Sequence, residues 1–137
     1  MDVGTGSGRW VIEVADQFPS AKVCGVDLSP IGLDETGPKN AEFFVMDLTQ
    51  GLKFEEGCVD LVHSRSFISL LPYNRMVHGG LTESQWPGYM KEIYRILKPG
   101  KGWAQCAELS PPFAFSENGK LPQESALGKV YFFIQLG

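Results

Sequence analysis

The stretch MDVGTGSGRW, residues 1–10, decides the fold because it sets glycines at alternate positions directly before an amphipathic segment. Glycine adopts the positive φ angles of tight turns and lets the backbone approach a ligand closely. The segment behind the loop, residues 9–18, carries apolar side chains at helical spacing, namely Val11, Val14, Ala15 and Phe18. The start of a helix presents unpaired N–H groups that favour an anionic group. These residues therefore predict a ligand-binding turn between a strand and a helix.

Apolar runs farther along the chain predict strands that alternate with helical patterns. The runs span residues 23–26, 41–47, 59–64 and 103–109. Strands that alternate with helices indicate a parallel sheet covered by helices on both faces. We therefore expect an α/β fold, a three-layer αβα sandwich with a mostly parallel, Rossmann-like sheet.

The clearest helical pattern begins after Leu81, where Thr82 and Gln85 fit a capping box. Its apolar stripe, which we interpret as core, consists of Trp86, Met90, Ile93, Tyr94 and Leu97. Lys98-Pro99-Gly100 ends this helix. With the strands, the stripe predicts a core formed by Val11, Ile12, Val14, Val23, Val26, Phe44, Val45, Leu61, Val62, Met90, Ile93, Leu97, Trp103 and Cys106.

Composition narrows the class of protein. The 137 residues include 43% hydrophobic side chains, and the formal net charge is −4 with no cluster of lysine or arginine. This balance argues against nucleic acid and anionic membranes as partners, and no apolar run is long enough to span a bilayer. Cys24, Cys58 and Cys106 lack metal-binding spacing and lie in apolar stretches, so we expect buried free thiols and a cytoplasmic or nuclear location.

The spacing of the loop indicates which class of ligand it binds. Asp27 closes the next strand about 20 residues later, where a carboxylate can accept both hydroxyls of a ribose. The dinucleotide fingerprint is GxGxxG, whereas this loop reads GxGxG and has Arg9 at the position of the third glycine. We interpret the loop and Asp27 as a nucleoside-type cofactor site, with a plain tight turn as the alternative.

Five motifs in this order resemble a class I S-adenosylmethionine-dependent methyltransferase over roughly residues 2–109: DVGTGSG, GVDLSP, FFVMDLT, VDLVHSRSF and IYRILKPG. The segments VHSRSF and WPGYMKEIYRILKPG resemble sequences of the fungal LaeA/UMTA-like branch, which is linked to secondary metabolism. The resemblance implies S-adenosyl-L-methionine as cofactor and a methyl acceptor that we expect to be a small molecule. It leaves a protein partner open and implies no metal.

The resemblance also implies roles for individual residues. The methionine end of the cofactor would be wrapped by the first loop, through Asp2, Gly4, Thr5, Gly6 and Gly8. Asp27 would accept from the ribose hydroxyls, and Leu28 would pack on the adenine. Methyl transfer from a sulfonium depends mostly on positioning and desolvation, so the resemblance names no universal catalytic residue.

Two further strand ends complete the implied site. Asp47 would accept from the adenine amino group with Leu48 beside it, although Asp47 also fits a simple cap of the following turn. The end of the fourth family strand would line the site through His63, Ser64 and Arg65. His63 is open to two interpretations, a general base or a histidine satisfied at a strand end. Arg65 is either a partner of the cofactor carboxylate or a surface arginine.

The chain also departs from the family pattern. Only two residues after Met1 precede the glycine loop, whereas a strand typically has about five, and Lys101 is inserted into the usual LKPGG turn. We expect residues 1–109 to be a partial, cofactor-binding methyltransferase domain and residues 110–137 an irregular C-terminal tail. We therefore expect a truncated domain that lacks both ends, with weak or no turnover. A non-catalytic, methyltransferase-like interaction or regulatory module is the alternative, and a dinucleotide oxidoreductase ranks third.

Overall fold

The computed structural model describes residues 1–30, 37–65, 81, 83–109 and 129–135. Within these residues the helices are α1 (Arg9–Gln17) and α2 (Trp86–Ile96), and short 3-10 turns span Leu48–Gln50 and Glu83–Gln85. The strands are β1 (Asp2–Val3), β2 (Val23–Asp27), β3 (Ala41–Val45), β4 (Leu61–Arg65), β5 (Trp103–Leu109) and β6 (Lys129–Gln135). None of the described helices is long and apolar enough to cross a membrane.

The described strands form one sheet in the order β3-β2-β1-β4-β5-β6. Strands β1 to β5 are parallel, and the strand order reverses at β1, which pairs with both β2 and β4. In such sheets a ligand binds outside the carboxyl ends of the strands at this reversal point. The predicted α/β fold with a mostly parallel, Rossmann-like sheet is confirmed.

The two helices cover opposite faces of the sheet. On one face, which we call the α1 face, Val11 and Ala15 pack against Val23 and Ala41. The other face, the α2 face, holds the larger core, which includes Val3, Val26, Val62, Ala104, Tyr89, Ile93, Ile96 and Leu97. Helix α2 begins after the turn Glu83–Gln85, and Thr82 of the predicted capping box lies outside the described residues.

The predicted irregular tail is wrong for residues 129–135. This segment is strand β6, which pairs antiparallel with β5 from Lys129 opposite Leu109 to Gln135 opposite Trp103. The stretch VYFFI consists of β-branched and aromatic residues, which favour strands. An edge strand such as β5 would otherwise expose a row of unpaired backbone groups. Pairing with β6 gives the backbone groups of both strands hydrogen-bond partners.

Four residues of the predicted core are exposed. Val45, Leu61 and Trp103 are 61%, 40% and 43% exposed, because the register places them at the ends of their strands on the α1 face, outside the patch of Val23 and Ala41 that Val11 and Ala15 cover. Tyr94 is 60% exposed, and Tyr89 is the aromatic residue of α2 that is buried with Ile93 and Ile96. The expectation of buried thiols also fails for Cys58, which is exposed, whereas Cys24 is half-buried and Cys106 is buried.

Candidate cofactor site

The glycine loop between β1 and α1 is held in a conformation that only glycine adopts readily. Gly4, Gly6 and Gly8 have φ angles of 75°, 56° and 74°, in the left-handed region where a Cβ atom is unfavourable. Among the described residues, no atom lies within 4 Å of the position that a Cβ would take at Gly4 or Gly6, so this part of the structure leaves open space over the loop backbone. Gly8 caps α1 without any side-chain hydrogen bond, which leaves the helix start open to a ligand.

Strand β2 holds the glycine loop through hydrogen bonds and close packing. The amides of Gly4 and Thr5 both donate to the carbonyl of Val26, at 2.8 and 3.1 Å. A Cβ atom on Gly25 would lie 2.8 Å from the Thr5 Cγ2 atom and 2.7 Å from Phe43 Cδ1. Gly25 is therefore a residue that the site requires and that the sequence interpretation missed. The available signal was a glycine inside a strand pattern, which often marks close approach of another backbone.

Thr5 supplies a polar group that suits a bound ligand. Its side chain is buried, and its hydroxyl lies beside the Asp2 carboxylate and lowers the pKa of Asp2, but it has no partner in good hydrogen-bonding geometry among the described residues. Buried hydroxyls normally have a partner. A cofactor that occupied the open space over the glycine loop would bring polar groups close to this hydroxyl. The loop therefore fits a ligand with both polar and charged atoms.

Asp27 connects the end of β2 to the glycine loop. Its Oδ2 atom accepts from the Gly6 amide at 2.8 Å, and its Oδ1 atom accepts from the Ser29 amide at 3.0 Å. Since an ionised carboxylate has about four acceptor positions, two remain for ribose hydroxyls. Leu28 is 67% exposed beside it, and Val45 pairs with Asp27 in register on the same face. Val45 was predicted as core and is instead an exposed apolar side chain at this edge.

Asp47 follows β3, next to Asp27 at the same edge of the sheet. Its Oδ1 atom accepts from the Thr49 amide at 2.9 Å and from the Thr49 hydroxyl at 2.7 Å, and these hydrogen bonds lower the pKa of Asp47. The alternative that Asp47 caps the following turn is confirmed. The Oδ2 atom accepts no hydrogen bond from the described residues, so a role toward adenine stays a prediction. Leu48 packs against the core of the α2 face, and its contact with a cofactor also stays a prediction.

His63 and Asp2 lie side by side under the loop on the α1 face, where β1 and β4 pair. The His63 ring stacks on Trp10 with centroids 4.4 Å apart and an interplanar angle of 8°. Its Nδ1 atom lies 3.2 Å from Gln105 Oε1. The described geometry therefore satisfies His63 at its strand, and a role as general base stays a prediction.

Burial controls the charge of this pair. Burial raises the pKa of Asp2, while the Thr5 side chain and the charges of His63, the amino terminus and Arg65 oppose that shift. Burial lowers the pKa of His63, and the Asp2 charge opposes the change. Arg65 is itself exposed at the end of β4, where its charge acts on Asp2.

The Ser64 side chain does not line the site, and a role of the Ser64 backbone stays a prediction. Ser64 has 0% exposure, so its side chain has no surface available to a ligand. Its hydroxyl donates to the Val3 carbonyl at 3.2 Å and accepts from the Tyr89 hydroxyl at 3.0 Å. Neighbouring residues of a strand point to opposite faces, which places Ser64 in the α2 core while His63 lies on the α1 face. No group of three or more residues of the metal-binding types is found among the described positions.

The methyltransferase domain family model matches residues 1–100 of this chain. The chain belongs to the methyltransferase domain family. The methyltransferase pytC of Aspergillus terreus is 34% identical over 131 residues, which cover 95% of this chain and 36% of that protein. The secondary metabolism regulator LAE1 of Cochliobolus heterostrophus is 34% identical over 132 residues, covering 96% of this chain and 38% of its own.

Solved structures agree with this assignment. The crystal structure of the aminoglycoside resistance methyltransferase NpmB1 superposes with a TM-score of 0.58 and 25% identity, covering 82% of this chain and 56% of that one. The resemblance to S-adenosylmethionine-dependent methyltransferases, and to the fungal LaeA-like branch within them, is therefore confirmed. The chain spans somewhat more than a third of the length of the two fungal relatives, 36% and 38%.

Proposed function

We propose that this chain binds S-adenosyl-L-methionine at the carboxyl edge of β1 and β2 and supports transfer of its methyl group to a small-molecule acceptor. The observation that carries the proposal is the coupling of the open glycine loop to Asp27 through the 2.8 Å hydrogen bond from the Gly6 amide. This bond holds the Asp27 carboxylate against the loop backbone at Gly6, so that one ligand over this edge would contact both.

The adenosyl end of the cofactor would lie over β2 and β3. Asp27 has two free acceptor positions for the ribose hydroxyls, and hydrogen bonds to a charged acceptor are stronger than neutral ones. Leu28 and Val45 offer exposed apolar surface beside it for the flat base. Asp47 would accept from the adenine amino group through its second oxygen.

The methionine end would lie over the glycine loop and the start of α1. Its carboxylate suits the uncapped N–H groups of the helix. Its ammonium group suits the negative field of Asp2, whose ionised form is disfavoured by burial and would be stabilised by a nearby cation. The cofactor supplies an activated methyl group on a sulfonium, and the residues of this chain bind and orient it.

A small molecule is the acceptor class that we propose. The net charge of −4 without a basic cluster disfavours a polyanionic acceptor such as nucleic acid. Methyl transfer requires an acceptor held in line with the sulfonium at about 3–3.5 Å, which needs a walled pocket. Because the chain spans little more than a third of its fungal relatives, we expect weak cofactor binding and slow turnover from the chain alone.

The test is release of S-adenosylhomocysteine from S-adenosylmethionine over a panel of phenols, amines, thiols and carboxylic acids. Turnover that depends on one acceptor class and disappears in the Asp27→Ala variant supports the proposal. Turnover with nucleic acid and none with small molecules contradicts the proposed acceptor.

A non-catalytic regulatory module that contacts a protein partner is the second candidate. The observation that favours it is the exposed pair Leu61 and Trp103, which are partners in register on the α1 face. One relative is named a regulator and the other a methyltransferase. Cofactor binding without release of S-adenosylhomocysteine in the presence of any acceptor would favour this second candidate.

A further inference from the structure

Glu92 and Arg95 on α2 form an ion pair that reaches across to the segment after the Asp47 turn. Arg95 Nη2 lies 2.8 Å from Glu92 Oε2, and the two side chains are one-third exposed or less, at 33% and 28%. The arginine donates to the Leu52 carbonyl at 2.7 Å and to the Phe54 carbonyl at 2.8 Å. The Leu52 amide donates back to Glu92 at 3.1 Å.

These contacts fix both the position and the orientation of the backbone at residues 52–54. Hydrogen bonds from a planar guanidinium to two carbonyls constrain orientation more than a single bond from a flexible ammonium would. Leu52 itself is 3% exposed in the α2 core, and the ring of Phe54 meets Phe44 edge-on at 5.4 Å. The backbone after the turn is therefore held by side chains on α2 and by the core together.

Gly51 links this fixed segment to the turn that Asp47 caps. It has a φ angle of 84°, and a Cβ atom there would lie 3.2 Å from Glu92 Oε2. At the other end of the turn, the Met46 amide donates to the Asp27 carbonyl at 2.9 Å. The turn that carries Asp47 is thus anchored at one end to β2 and at the other end to the Glu92–Arg95 pair.

We propose that Glu92 and Arg95 are positioning residues that set how well the site recognises the adenine base, through the placement of Asp47. This inference rests on the proposed function, since it concerns the same cofactor site. Neither side chain touches the cofactor in this proposal. Both act on Asp47 through the backbone of Gly51 and Leu52.

The test compares two ligands that differ at the base alone, S-adenosylhomocysteine and S-inosylhomocysteine, in which a carbonyl replaces the 6-amino group. Affinities are measured by calorimetry for the wild-type chain, Glu92→Gln and Arg95→Lys, with melting curves for each. The matched control is Lys98→Gln, which removes the ion pair of Lys98 with Asp60 at 2.7 Å, far from the carboxyl edge where Asp47 lies.

We expect Glu92→Gln and Arg95→Lys to weaken the binding of S-adenosylhomocysteine by about tenfold, as loss of a charge-assisted hydrogen bond does. The affinity for S-inosylhomocysteine should stay unchanged. Lys98→Gln should preserve the preference for adenine. A purely structural role would lower the melting temperature and keep the wild-type ratio of affinities, and that result would overturn the inference. A wild-type chain that binds both ligands equally would also overturn it, whereas a wild-type chain that binds neither would refute the proposed function instead.

Discussion

Asp27 and Asp47 are the same residue type at the ends of neighbouring parallel strands, yet the structure uses them differently. Asp27 is half-buried and accepts from the Gly6 amide, 21 residues away in the chain. The Asp47 side chain is exposed, and among the described residues it accepts from Thr49 alone, within its own turn. The difference shows that Asp27 joins two parts of the site directly, whereas Asp47 depends on other residues to place its turn.

The largest effect is expected from Gly25→Val, which breaks the link between β2 and the loop. The added side chain would overlap the Thr5 methyl group and the Phe43 ring, and overpacking of this kind costs about 1–3 kcal/mol of stability. Urea unfolding measures the change, and adenosyl ligands should no longer bind.

The matched control is Gly88→Ala on α2, where no atom of the described residues lies within 4 Å of the added Cβ. Removing a helical glycine should raise stability by roughly 0.5–1 kcal/mol. If both substitutions left stability unchanged, the close approach of the loop to β2 would be irrelevant to the fold.

Asp27→Ala should have the next largest effect, on ligand binding. It removes the acceptor for ribose and the bond to the Gly6 amide together, so we expect S-adenosylhomocysteine to bind about 1–3 kcal/mol more weakly. Asp27→Asn keeps one carbonyl acceptor, so its affinity for S-adenosylhomocysteine should lie between those of the wild type and of Asp27→Ala. Calorimetry measures both, and an alanine variant with wild-type affinity would contradict the role of Asp27.

Asp47→Ala should be milder than Asp27→Ala for both stability and binding. Loss of this side chain removes two hydrogen bonds within an exposed turn, and its second oxygen would contribute one hydrogen bond to the base. Unfolding and calorimetry on Asp27→Ala and Asp47→Ala measure which variant loses more stability and more affinity. An Asp47 effect larger than the Asp27 effect would reverse the comparison.

The smallest effect concerns the pH dependence of stability, which involves the buried pair under the loop rather than the exposed carboxylate of Asp47. Burial lowers the pKa of His63, so the unfolded chain binds a proton at higher pH than the folded chain does. Stability is therefore present above the ordinary histidine pKa of about 6.5 and is lost as pH falls below it.

His63→Gln should remove this loss between about pH 7.5 and pH 5.5. The groups that face His63 are Asp2, Arg65, Gln105 and the amino terminus. Asp2 has a raised pKa, which acts in the opposite direction, so the difference between wild type and variant gives the contribution of His63 together with its interaction with Asp2. An equal slope in both proteins would contradict the neutral, buried state of His63.

The sequence predicted the parts of the site whose signal is local. The glycine loop and Asp27 were recognisable because alternate glycines and a strand-final carboxylate each stand out within a few residues. Gly25 and Ser64 were not recognisable, because their roles depend on which residues face them across the sheet. In strands with apolar residues on both faces, alternation does not reveal which face a side chain takes.

Long-range pairing explains the remaining differences. Strand β6 was missed because its partner β5 is about 20 residues earlier, and no pattern in either segment specifies the other. Leu61 and Trp103 look like core residues in sequence, but they begin β4 and β5 on the α1 face, outside the cluster that α1 forms with β2 and β3. The sequence thus predicted the helices and the parallel strands, and tertiary contacts decided which apolar residues are covered.

The most direct test of the central claim, that the glycine loop and Asp27 form one adenosyl site, is calorimetric titration of the wild-type chain with S-adenosylhomocysteine and with NAD. We predict saturable binding of S-adenosylhomocysteine, weaker by about 1–3 kcal/mol in Asp27→Ala, and no comparable binding of NAD. Preferential binding of NAD, or equal affinity of wild type and Asp27→Ala for S-adenosylhomocysteine, would contradict the account.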